Sequence, residues 1–330
     1  MPSLAQSILV ASQQYTIYVS FIILFSGVAG HLCNIFVLTK LKIFRGNPAT
    51  TYLIAESIVN LFQMLIPFTT RIAMNGFAND LTQTSLLWCK LRSVCAQSST
   101  LISLSIVCFA AIDQYFSTSY HPYLRRLSSP RTAQVSIIIV ILLWILHGIP
   151  VAIFFEIRSS SGCNLYDLGM VNYVAYVYYL FLTGMIPITI STLFAILAYR
   201  NVRRIIRRQI PIRRRKLDQQ LTAMIMVRVA FLVVTTLPYV LQRIYSYVVY
   251  ISKEDAVYRA VIQLVGAITI SLFYMDYSGS FYLFLISSAR YRRQVRNVFV
   301  RGCRVYRARR NQIVPRTQVS SDAYDLQSIS

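Results

Sequence analysis

Apolar residues gather in seven stretches of about 20 or more positions, and polar residues collect in the short segments that divide them. About 20 apolar residues are needed to cross a hydrocarbon core, and only helices or closed barrels cross it with every backbone group hydrogen-bonded. Runs of this length read as helices. The expected spans are 15–38, 49–73, 89–116, 133–155, 173–199, 221–245 and 261–286. The fold class that follows is an all-α membrane protein, a seven-transmembrane helix bundle.

Composition agrees, because 56% hydrophobic and 13% charged residues in a chain of 330 leave too little polar surface for a soluble domain of that size. No repeat of 20 to 50 residues is visible and the loops are too short to hold a second domain. The net charge of +22 raises the question of nucleic acid, and its placement answers it. The bases sit in four segments: Lys40, Lys42 and Arg45; Arg125, Arg126 and Arg131; nine Lys or Arg from Arg200 to Lys216; and the tail from Arg290 onward. These are every second loop plus the C-terminal part. The other loops mix signs, with Asp80 and Lys90, Arg158 and Asp167, and Lys253, Glu254, Asp255 and Arg259. The positive-inside rule then expects residues 1–14 outside, the bundle over 15–289, and the C-terminal side in the cytoplasm of a multi-pass plasma-membrane protein. Anionic inner-leaflet lipid is an expected partner and nucleic acid is not, since the bases are spread over separate loops. Residues 1–14 lack a basic start and Ile8–Ala11 is too short for a cleavable signal, so the first span is expected to act as the signal anchor.

The cysteines add detail. Cys33, Cys95 and Cys108 fall inside spans, where a thiol behaves as a small hydrophobe. Cys89 begins the third span and Cys163 sits between the fourth and fifth, both on the side expected to be oxidising; a bridge there would pin that loop over the bundle mouth. Cys303 follows the basic amphipathic stretch Arg290 to Val300, which reads as an eighth helix over 290–303 lying on the inner leaflet. It is either a palmitoylation site or a plain thiol. The tail over 304–330 is expected to be without regular structure.

Several residues stand in order, at separations that resemble those of a rhodopsin-like (class A) G-protein-coupled receptor, across all seven spans. They are Asn34 in Gly30-His31-Leu32-Cys33-Asn34, Cys89, Asp113-Gln114-Tyr115, Trp144, Pro187, Pro238, and Ser280-Phe281-Tyr282-Leu283-Phe284 followed by Arg290-Tyr291-Arg292. Cys89 resembles the disulfide cysteine of the family's third helix, which implies a bridge to Cys163. The departures are as informative. Gln114 stands in place of the Arg that in the family contacts the G protein and locks to the sixth helix at rest, and Asp218 stands where the acidic partner of that lock is found. The resemblance implies a neutral Gln114–Asp218 hydrogen bond in its place. Thr236 replaces the sixth-helix Trp, Ala195 the fifth-helix Tyr, and Phe281 and Phe284 the Pro and Tyr of the seventh. A set this divergent is similar to expanded invertebrate receptor groups, and Asp113-Gln114-Tyr115 resembles FMRFamide-type neuropeptide receptors.

Charge inside a membrane is expensive and is read as functional by default. The family's second-helix Asp falls on Asn60, while Asp276 appears in the seventh span facing the same pocket, and Ser103 matches the Ser that lines it. Either these oxygens suit a sodium ion or Asp276 is protonated and hydrogen-bonded to its neighbours. Glu56 lies four residues before Asn60 on the same helix face. Arg228 lies ten residues before Pro238, about 15 Å along the helix. Both positions belong to an apolar layer in the family. A buried pair or a snorkelling Arg228 would satisfy the cost of these charges.

The ligand side carries Arg71, Arg92, Gln97, Tyr239, Gln242, Arg243, Tyr245 and Tyr247. Arg with Tyr suits the acidic groups, amides and rings of a peptide, though part of the tyrosines fits an interfacial belt equally well. Ala96 stands where aminergic receptors carry Asp, and the seventh span has no Lys for a retinal Schiff base. His31, His121 and His147 are scattered, with no metal spacing, nucleophile–base pair or phosphate loop, so neither an enzyme nor a cofactor is expected. The expected function is a receptor for an extracellular ligand, a peptide, acting on a heterotrimeric G protein, arrestin or both. The alternatives are a receptor fold without G-protein coupling and a small-molecule transporter or channel.

Overall fold

The computed structural model describes residues 3–40, 46–77, 84–158, 162–205, 212–249, 256–289, 291–298 and 300, with backbone alone at 205, 212–218, 248 and 249. Seven helices are long and apolar enough to cross a membrane. They are α1 (Leu4–Lys40), α2 (Pro48–Phe77), α3 (Leu86–Thr118), α4 (Pro130–Phe154), α5 (Leu168–Arg204), α6 (Ile212–Val249) and α7 (Ala256–Ser287). Residues 291–298 are helical too. Cys303, and the whole of the tail expected over 304–330, lie outside the described residues.

Local chemistry sets the helix starts. Asn47 accepts the N–H of Ala49 with Pro48 at the first helical position, and Ser85 accepts from Trp88. Ser129 accepts from Thr132 ahead of Pro130, and Asp167 accepts from Met170. Helix α1 begins at Leu4 rather than at residue 15, so residues 4–14 are helix and not a free terminus. The reason is tertiary as well as local: Ser12 is buried, and Gln13 donates to the carbonyl of Gly76 at 2.8 Å, fastening this turn to the end of α2.

Two prolines re-register their helices. Pro67 removes a ladder donor from α2, and Met64–Phe68 winds as a π-turn whose next residue, Thr69, returns its hydroxyl to the Met64 carbonyl at 3.1 Å. In α5 the π-winding runs from Tyr173 to Met185 and ends two residues before Pro187.

Helix α3 is the axis of the bundle and α4 its margin. The most apolar window of α3 is 67% buried and that of α4 only 17%, so α4 offers Ile138, Ile139, Leu142, Leu143 and Leu146 to lipid. Helix α1 packs along α7 through small residues. A Cβ on Gly27 would meet Met64 Cε at 2.6 Å and Ser278 Cβ at 2.9 Å. The methionine end can turn away, whereas Ser278 Cβ is fixed to its backbone. Gly27→Val is therefore expected to lower stability by about 1–3 kcal/mol, read as thermal unfolding in detergent; an unchanged melting temperature would mean that α1 and α7 slide freely.

Between α4 and α5, β1 (Phe155–Arg158) pairs antiparallel with β2 (Gly162–Leu165), and Ile157 faces Cys163. Cys163 is bridged to Cys89 in the first turn of α3, with Cα atoms 5.9 Å apart. The hairpin is thereby tied over the end of the bundle where α2, α4 and α6 finish.

Candidate functional site

Four helices contribute polar side chains to one buried cluster. From α6, Arg228 donates through Nε to Glu56 Oε1 of α2 at 2.7 Å, and through its two terminal nitrogens to both carboxylate oxygens of Asp276 on α7, the second at 2.9 Å. All three side chains are at most 3% exposed. Asn60 Nδ2 reaches Glu56 Oε1 at 3.5 Å, Ser103 of α3 donates to Asn60 Oδ1 at 2.6 Å, and Thr235 donates to Asp276 Oδ1 at 3.4 Å. A forked guanidinium suits two carboxylates, since its planar donors serve one in bidentate fashion and leave Nε for the other.

This geometry changes one expectation. Two alternatives stood open for Asp276, a sodium ion shared with Asn60 and Ser103 or a protonated carboxyl bonded to its neighbours; Arg228 takes both oxygens of Asp276, and Ser103 takes Asn60 Oδ1. The guanidinium supplies the positive charge that the pocket requires. Arg228 does not snorkel; its charge is met inside the bundle.

The opposite end, away from the disulfide, holds the residues expected to form a switch. Gln114 Nε2 donates to Thr222 Oγ1 at 2.7 Å, one turn further along α6 than Asp218, whose side chain lies outside the described residues. Asp113 is buried beside Gln114, and Tyr115 packs against Phe194 with ring centres 5.5 Å apart. The Pro187 carbonyl accepts from Ser191 at 2.5 Å and from the Cys108 thiol at 3.6 Å. Pro238 sits inside α6 without breaking it. Ser280 and Phe284 are buried in α7, and Phe284 lies edge-on to Tyr291. Asn34 bonds Ser57 at 2.8 Å and accepts the Tyr291 hydroxyl at 2.8 Å. Burial holds that phenol well above its ordinary range, so it remains a neutral donor. Tyr291, in the segment after α7, thus places a hydroxyl beside the Phe284 ring.

At the disulfide end a cavity of about 610 Å³ opens among α1, α2, α6 and α7. It brings together Arg71, Gln242 and Arg243 from the residues expected to meet a ligand, and adds Arg259 from the first turn of α7. It does not include Arg92, Gln97, Tyr239 or Tyr245. Tyr239 stacks on Phe273 at 4.0 Å and backs the Arg243 guanidinium, 5.4 Å from its ring centre. Tyr245 is exposed and its hydroxyl pairs with that of Tyr258 at 2.5 Å. Tyr247 packs against Tyr179 at 5.8 Å. Gly266 leaves room for Gln242, whose amide nitrogen would lie 3.1 Å from a Cβ there.

Sequence reasoning missed a second buried network, in which Gln63 of α2 is bonded to Ser99 and, at 3.3 Å, to Thr100 of α3. A glutamine in the middle of an apolar run was the available signal. In comparisons with known proteins, no family model and no curated protein matches the chain.

Proposed function

We propose that the protein is a plasma-membrane receptor of the rhodopsin-like kind, with its disulfide end outside and its basic loops in the cytoplasm. It takes an extracellular ligand, a peptide, and passes a rearrangement of its helices to a heterotrimeric G protein, arrestin or both. The observation that carries this reading is the ionic cluster. Arg228 and Arg243 are 15 residues apart on one helix, about 22 Å, so a ligand cavity and a charged latch share α6 as a rigid rod. A buried cluster joining α2, α6 and α7 can be made or broken as a unit, which is what a switch requires. The disulfide and the cationic mouth support the assignment of the ligand to the outer side.

A receptor fold without G-protein coupling is the second reading, favoured by one feature: Gln114 is neutral and bonded to Thr222 where the family presents an arginine. A peptide-library screen in cells, with arrestin recruitment and second-messenger change read in parallel, tests both. Ligand-dependent signals in both channels are expected; recruitment without second messenger selects the second reading. Silence in both, together with substrate uptake into vesicles, would replace the receptor reading by a transporter.

A further inference from the structure

We infer that the cavity among α1, α2, α6 and α7 binds an oxyanion, a carboxylate carried on an apolar stem, between Arg71, Arg243 and Arg259. This deepens the receptor reading above and rests on it for the side from which the ligand arrives. Three guanidiniums line one cavity, and no Asp or Glu is among its described lining residues. None of the three takes part in an ion pair among the described residues; the guanidiniums that do are those of Arg158 and Arg228. Like charges in a setting less polar than water repel one another, and Arg71 lies within electrostatic range of Arg243.

The cluster at Arg228 shows how this fold meets a buried guanidinium when it supplies the counter-charge itself. At the cavity the described residues supply none. Arg243 rests on the faces of Tyr179 and Tyr239, 5.9 and 5.4 Å from the ring centres, and its Nε is buried with no hydrogen-bond partner, as is Gln242 Oε1. Ring faces offset part of the charge but accept no directed N–H bond, so donors remain for a ligand. Leu9, Phe68, Ile72 and Ile270 complete the wall with apolar surface, which fits a hydrocarbon or aromatic stem behind the charged head. A carboxylate meets a forked guanidinium in bidentate geometry, whereas an amide offers one neutral acceptor and loses that match.

The test uses the purified full chain in detergent and two matched pairs of probes: benzoate against benzamide, and the tripeptide Gly-Gly-Phe against its C-terminal amide. Binding is read as ligand-dependent thermal stabilisation and by calorimetry. Each acid is expected to bind at least about tenfold more tightly than its amide, a difference of about 1.4 kcal/mol. Binding of benzoate with the tripeptide acid no tighter would identify a small organic acid as sufficient; a tighter tripeptide acid would identify a peptide terminus. The double change Arg71→Gln with Arg243→Gln is expected to abolish the preference for acid, and Arg71→Lys with Arg243→Lys to keep a smaller one, since the charge stays and the fork is lost. Should the glutamine pair not fold, the lysine pair and Arg259→Gln, which should weaken the acids alone, carry the comparison. Equal binding of acid and amide, or binding of neither at millimolar concentration, would overturn the inference. These readouts need no transducer, so a protein that binds the acids while silent toward arrestin and second messenger would sink the receptor reading and leave the carboxylate site standing.

Discussion

Arg228→Met is expected to lower the stability of the folded bundle by about 3–5 kcal/mol, measured as thermal or denaturant unfolding in detergent micelles. The change leaves Glu56 and Asp276 facing each other, each at most 3% exposed, with no cation between them. The arithmetic of the cluster makes the companion variants asymmetric. Two carboxylates share one guanidinium, so Glu56→Gln leaves a neutral, bidentate Arg228–Asp276 pair and should cost much less than Arg228→Met. The triple change Arg228→Met, Glu56→Gln, Asp276→Asn removes every charge and should recover most of the loss, because replacing a buried ionic group outright is far less costly than orphaning one member. If Arg228→Met unfolds at the wild-type temperature, the cluster does not hold α2, α6 and α7 together.

Replacing Cys89 and Cys163 by Ser is the second large effect. The bridge spans a sequence separation of 74 residues, for which loop-closure entropy gives a ceiling of about 4.5 kcal/mol. The measured loss should fall below that ceiling, because helices already inserted in a micelle restrict the chain that the bridge would otherwise restrict. Untethering also frees the β1–β2 hairpin. Non-reducing digestion followed by mass spectrometry should show the linked peptides in the wild type; two thiols open to alkylation in folded protein would contradict it.

The seven spans were legible because a hydrocarbon core imposes a length on any run that crosses it, and Leu, Ile, Val and Phe record that length directly. Their ends were not. Residues 4–14 carry no hydropathy signal that separates helix from loop; the bond from Gln13 to Gly76, 63 residues away, extends α1 across them. The meeting of Glu56 and Arg228 could be anticipated from cost alone, since each is a charge in an apolar run. Asp276 as their third member could not, because position along α7 fixes depth but not which neighbour an aspartate faces. A carboxylate at that depth fits a sodium ion as well as a guanidinium until Arg228 is placed. The cavity was partly visible in Arg71, Gln242 and Arg243. Its lateral position between α1 and α7 rests on small residues such as Ala5, Ser12 and Gly266, which leave no periodic trace.

Tyr291 gives the segment after α7 a mechanical role. Its ring lies edge-on to Phe281 and Phe284 in a buried cluster with Val37, Leu53 and Leu221, and its hydroxyl closes onto Asn34, so it sits in the bundle end as a stopper. Anything that lifts residues 291–298 away must also pull a fully buried phenol out of that seat and leave Asn34 Oδ1 without its donor. Attachment of this segment and closure of the bundle end are one event: a binder that grips 291–298 works as a lever on α1, α2 and α6, and a chain cut before Tyr291 loses the plug along with the handle.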